Sequence, residues 1–266
     1  MQNKKIKNII TAVSFGTLLV VASVMAYFTG NDAVTNRLKA ISLDITLTET
    51  KWNPPTKTVL PDEVLEKNPQ VTNNGEADAF VFLRVRVPYV VNTDMDYSGG
   101  EDIGNGKTAQ KGEQRPRVEN QPMPLFKFVV TKKDSNGNKV DTYDKELTSE
   151  QVVHDERWTL LNGYPFPDNK NMELVYVYAY TEKEDSAKLT ATKKGDPPTV
   201  ALFDKIRLVN YGSEHLADNV NGVLVVNVDA FAIQTSDIGD GLTSENPLGV
   251  WNFLEQQQDK SGVNGI

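Results

Sequence analysis

From Ala79 to Pro88 the chain alternates without a fault. Val81, Leu83, Val85 and Val87 fall on one side of an extended strand, and Phe80, Phe82, Arg84 and Arg86 on the other. An Asn73-Asn74-Gly75 turn signal precedes this strand, and Pro88 is expected to end it. Arginines in such a position point to solvent or pair with nearby acids. The two-residue period returns at Ile41, Leu43, Ile45 and Leu47, and again at Met172, Leu174, Tyr176, Tyr178 and Tyr180; no long amphipathic helix and no fixed-period repeat accompanies it. Short alternating runs separated by turn residues restrict the chain to an all-β fold, an antiparallel β-sandwich of about ten strands.

The N-terminus carries a different signal. Lys4, Lys5 and Lys7 precede a run without charge from Asn8 to Met25, the layout of a secretory signal peptide. Ala26, with Val24 two before it, supplies a cleavage site just ahead of Tyr27. The apolar run is at the lower edge of a membrane span, so the alternative is an uncleaved anchor, and the membrane enters only through this segment. Four pieces result: a signal peptide at 1–26, an N-terminal arm at 27–40, a sandwich at 41–255 and a loose tail at 256–266.

Composition narrows the chemistry. The 266 residues contain no cysteine, which removes thiolate catalysis, zinc-thiolate sites and iron–sulfur clusters. Loss of the three lysines in 1–26, a stretch with no acid, takes the net charge from −8 to −11. A chain this acidic repels a phosphate backbone, so no nucleic acid is expected as partner.

Further motifs sort into strands and loops. Trp52, in the proline-rich stretch after the first strand, is expected to plug the core. Residues 92–122 form a long polar excursion in which Asp94, Asp96, Ser98, Gly99 and Asp102 show part of a calcium-loop spacing, but Asn105 stands where the closing acid belongs. A hydrophilic loop is the better reading. Asn136-Gly137 marks a hairpin between Phe128-Val129-Val130 and Val140. Residues 146–156 suit a short helix or irregular connection, and 182–198 a charged loop that leads to Leu202 and Phe203, which dock in the core. The run from Val223 to Ile233 is apolar enough for a central strand, and Trp251 to Leu254 suits a short terminal helix or turn.

Catalytic constellations are weak. His154 and His215 are the only histidines and form no His-Glu-x-x-His pair; Asp155, Glu156 and Glu214 beside them do not define a zinc site. No Gly-x-Ser-x-Gly elbow and no phosphate-cradling glycine loop occurs. No cofactor, no metal and no enzymatic activity is therefore expected.

The blocks from Val24 to Glu49, from Val59 to Pro88, LFDKIRLVN, VNVDAFAIQT and VWNFL stand in an order that resembles the TasA/camelysin family of exported proteins cleaved by a SipW-type signal peptidase. The resemblance implies a jelly-roll-like sandwich with long loop insertions and few short helices, in which a Trp-bearing strand neighbours a tyrosine-rich one. It also implies a secreted biofilm-matrix fibre subunit. After cleavage between Ala26 and Tyr27, the arm would add as a donor strand to the next copy, or to a related matrix subunit, with Tyr27, Phe28, Val34 and Leu38 as anchors. A surface adhesin or carbohydrate binder using the 92–122 loop and exposed tyrosines is one alternative. A camelysin-like metalloprotease is another.

Overall fold

The computed structural model describes residues 43–52, 59–91, 107–108, 110, 122–143, 152–153, 157–209, 225–236, 238–239 and 241–261. The compact unit begins at Leu43. It is an all-β sandwich of antiparallel sheets, with one helix among the described residues.

The larger sheet is built on β4 (Ala79–Val90). On one side β4 pairs with β10 (Glu173–Glu182), from Glu173↔Pro88 to Ala179↔Phe82. On the other it pairs with β14 (Asn227–Gln234), from Asn227↔Arg86 to Gln234↔Ala79. Along the far edge of β10 lie β8 (Trp158–Leu160) and β9 (Phe166–Asp168), with β11 (Asp185–Leu189) joined by a tight hairpin. Two short pieces, β5 (Met123–Pro124) and β12 (Ala191–Thr192), pair with opposite ends of β4.

The second layer holds β2 (Val64–Glu66), β13 (Lys205–Leu208), β6 (Phe126–Lys133) and β7 (Lys139–Tyr143), in that order. Beside it β1 (Ile45–Thr48) pairs with β3 (Gln70–Asn73). The odd-numbered side chains of β4 and the tyrosines of β10 meet Phe126, Phe128, Ile206 and Leu208 in the main core. Phe128 stacks on Phe203 at 4.3 Å and lies 5.6 Å from Tyr176. Each such side chain contributes about 2–3 kcal/mol by leaving water. Leu202 and Phe203 dock as expected, and Trp52 packs at the core margin with Lys67 Nζ 4.4 Å above its ring.

The helix α1 (Pro247–Ser261) covers the other face of the larger sheet. Asn246 caps it, its side-chain oxygen accepting from Gly249 N at 2.9 Å, and Pro247 fills the first turn, where no donor is needed. Val250, Trp251 and Leu254 then bury against Phe80, Phe82, Val177 and Ile233. Trp251 lies 5.4 Å from Phe82 and 5.3 Å from Phe231.

Several expectations need correction. Pro88 does not end β4: β14 pairs no further than Arg86, so the missing N–H costs no ladder bond on that side, and the Pro88 carbonyl accepts from Leu125 N at 2.8 Å. Much of the supposed loop at 182–198 is strand, because Leu189 buries and Lys188 meets Glu182 at 2.8 Å across the hairpin. The 134–138 turn takes a positive φ at Gly137 alone, with Asp134 Oδ1 accepting from the backbone of Asn136 and Asn138. The terminal helix is longer than expected and runs through Ser261, so 256–261 is no loose tail. β14 is not a central strand among the described residues, where its sole ladder partner is β4.

Candidate functional site

β14 differs from β4 and β10, the two other long strands of its sheet. Its inward row, Val228, Ala230 and Ala232, lies opposite Val85, Leu83 and Val81, which are fully buried, yet all three remain partly exposed. Alanine fills less of the space that valine, leucine and tyrosine fill elsewhere on this face. Alongside runs β1, with Cα separations of 8 Å or less but no ladder between the two. Ile45 and Leu47 of β1 pack against the same core. The two sheets therefore approach at a seam in which, among the described residues, neither facing edge carries a ladder.

The outer face of β14 is held firmly. Asp229 Oδ2 accepts from Arg84 Nε and Nη2, both at 3.3 Å, and meets Arg86 Nη2 at 3.1 Å. The Arg84 guanidinium also lies over Phe231 at 4.7 Å. Beyond it Tyr164 accepts from Trp251 Nε1 at 2.8 Å. Burial pushes the Tyr164 hydroxyl above its ordinary value of 10.0, and the charge of Glu255 adds to this against Trp251 and Arg84. Strand position is thus secured from outside while the edge stays open.

Other described edges are blunted. Lys133 faces Lys139 across the β6–β7 ribbon, and both are exposed. β9 carries Pro167, β11 carries Asp185 and Lys188, and β2 is three residues long. Charge, proline and brevity are the devices that keep a sheet edge from recruiting strands. β14 is eight residues long with an apolar inward row and no proline, and its one charge, Asp229, lies on the outer face held by Arg84 and Arg86.

Ala26, Tyr27, Phe28, Val34 and Leu38 lie outside the described residues. The same is true of Asp94, Asp96, Ser98, Gly99, Asp102 and Asn105, and of His154, Asp155, Glu156, Glu214 and His215. Among the described residues no three acids or histidines gather to hold a metal, and no helix is long and apolar enough to cross a membrane. Tyr176, Tyr178 and Tyr180 are buried in the main core, so the tyrosine row serves aromatic packing and does not supply the exposed tyrosines of the adhesin alternative. Trp158 and Tyr180 are direct cross-strand partners with ring centroids 5.0 Å apart. Sequence reasoning missed the seam, because the residue pattern of a strand shows which faces it presents and not which of its edges finds a partner. Compared with protein-family models, curated proteins and solved structures, the chain matches none.

Proposed function

We propose that this protein is a secreted structural subunit of extracellular, biofilm-matrix fibres of the TasA/camelysin kind, assembled head-to-tail by addition of its N-terminal arm to a neighbouring copy or a related matrix subunit. The reading assigns it no reaction and no cofactor. The observation that carries it is the apolar edge of β14 beside β1, which among the described residues has no ladder partner on that side. An extended segment satisfies such an edge twice over, by ladder hydrogen bonds and by alternate side chains entering the core.

Geometry sets the cost. Two ladder spacings of about 4.8 Å exceed the present separation of 8 Å or less, so β1 must move outward by at least about 1.6 Å. It is held by four cross-strand pairs to β3, by Asn74 Nδ2 donating to Thr46 Oγ1 at 2.7 Å, and by Ile45 and Leu47 in the core, and these contacts set what the movement costs. At about 3.4 Å per residue the eight residues of β14 span about 27 Å and the fourteen of the arm about 47 Å, enough to fill the seam and bridge to the next copy. A contact between two different surfaces does not close on itself, and filaments follow. Removal of residues 1–26 by a SipW-type signal peptidase then serves as the switch, since it frees the arm from its membrane tether.

Electron microscopy of protein beginning at Tyr27, beside protein beginning at Lys39, tests the reading. Fibres from the first alone are expected. Fibres of the same form from both would remove the arm from the mechanism, and none from the Tyr27 form would remove self-assembly.

A further inference from the structure

Resting on that reading, we infer that Ala230 and Ala232 are side-chain seats that admit the arm of a second copy of this chain, and that their small size determines whether the seam accepts a strand at all. Every other inward position on β4 and β10 that lines the main core carries a large side chain. At β14 the row shrinks to alanine and stays partly exposed, although Val81 and Leu83 opposite it are fully buried. A sandwich edge that needed only to be closed would gain apolar burial from Val, Ile or Leu there. Leaving alanine at both positions keeps space for side chains that come from elsewhere.

The occupant follows from the chain outside the compact unit. Phe28, Val34 and Leu38 share one face of an extended segment, whereas Ile41, Leu43, Ile45 and Leu47 share the other parity. The apolar face changes side between Ala40 and Ile41, so the arm and β1 are not one continuous strand with a common buried face. To lie in its own seam beside β1, the arm must also reverse direction within a few residues of Leu43. Between Leu38 and Leu43 only Ser42 favours a turn, and no Gly, Pro, Asn or Asp stands there to make that reversal. A second copy meets no such constraint.

Binding of a fluorescein-labelled peptide of residues 27–40 to protein beginning at Lys39, followed by fluorescence anisotropy, tests the seats. The Lys39 form keeps the whole compact unit, which begins at Leu43. Ala230→Leu and Ala232→Leu are expected to weaken peptide binding at least tenfold while the melting temperature holds or rises, an opposite-signed pair of effects that general damage does not produce. Ala232→Ser, which keeps the space, is expected to bind within a few-fold of the original. A peptide with Leu38→Ala is expected to lose at least tenfold without any change in the folded protein, which keeps the test intact if a leucine variant fails to fold. Folded leucine variants that bind as tightly as the original would overturn the seats and leave the fibre reading standing. Absence of peptide binding to the unsubstituted protein would overturn the seats outright, and fibres from the Tyr27 form would then show that assembly uses another surface.

Discussion

Trp251 Nε1 donates a 2.8 Å hydrogen bond to the hydroxyl of Tyr164, joining the terminal helix to the turn between β8 and β9. The bond is partly buried, with the Trp251 side chain fully so and Tyr164 half-buried. Tyr164→Phe leaves the indole N–H without its partner and is expected to cost about 1–2 kcal/mol. Trp251→Ala opens a cavity over Phe82 and Phe231 and is expected to cost about 3–5 kcal/mol. Urea denaturation measures both, and the double variant should lose less than the two losses together.

The helix start makes a second test in which two effects of similar size oppose. A Cβ at Gly249 would come within 2.4 Å of the Asn246 side-chain nitrogen, so Gly249→Ala displaces the cap. Loss of a cap costs about 1 kcal/mol, and alanine in place of glycine within a helix returns about 1 kcal/mol. Near-neutral stability is expected for Gly249→Ala alone. In an Asn246→Ala background, where the cap is already gone, the same change should stabilise by about 1 kcal/mol.

Lys67 and Glu49 form a largely buried ion pair at 2.7 Å, and the second oxygen of Glu49 is enclosed without a hydrogen-bond partner. Removing one charge strands the other. Lys67→Ala is expected to cost about 3 kcal/mol, whereas Lys67→Met with Glu49→Leu should be close to neutral. Thermal melts of the three proteins decide this, and a double variant as unstable as Lys67→Ala would refute it.

Stability should fall at both ends of the pH scale. Burial alone would raise Asp141, but hydrogen bonds from Lys205 and Thr131 and the Lys205 charge outweigh it and hold the carboxyl below its ordinary 3.8. The Asn138 backbone lowers Asp134, and the Asn171 side chain lowers Asp168. Carboxyls depressed in the folded state contribute stability above the ordinary value and lose it as pH falls through the folded one. Melting temperature is therefore expected to hold near neutrality and decline below about pH 4. At the alkaline end Lys205 is raised above 10.5, chiefly by its hydrogen bond to Asp141, and Tyr164 above 10.0 by burial. Raised groups contribute below their ordinary values and lose that contribution as pH climbs through the folded ones. Asp141→Asn should flatten part of the acid limb.

Legibility followed the range of the forces involved. The alternation of Val81 to Val87 named its own buried face, and the 136–137 turn announced its hairpin, because both signals lie within a few residues. The 185–189 strand was hidden by charge: Asp185 is exposed and Lys188 partly so, and it is the pairing of Asp185 with Glu182 and of Leu189 with Thr181 that makes it a strand. The tyrosines of β10 present one face in sequence, but whether that face meets water or Phe128 depends on a sheet more than forty residues away. Pro88 was misjudged because its effect depends on which neighbour needs its N–H.

By itself the sequence determined the all-β class, the strand faces, the acidic cysteine-free character and the expectation of export, since these rest on local pattern and composition. Only the tertiary structure decided which strand is left with an uncovered edge. Edges exist only after strands choose partners, and β14 becomes an edge because β4 takes one side while β1 pairs with β3 instead of closing the sheet.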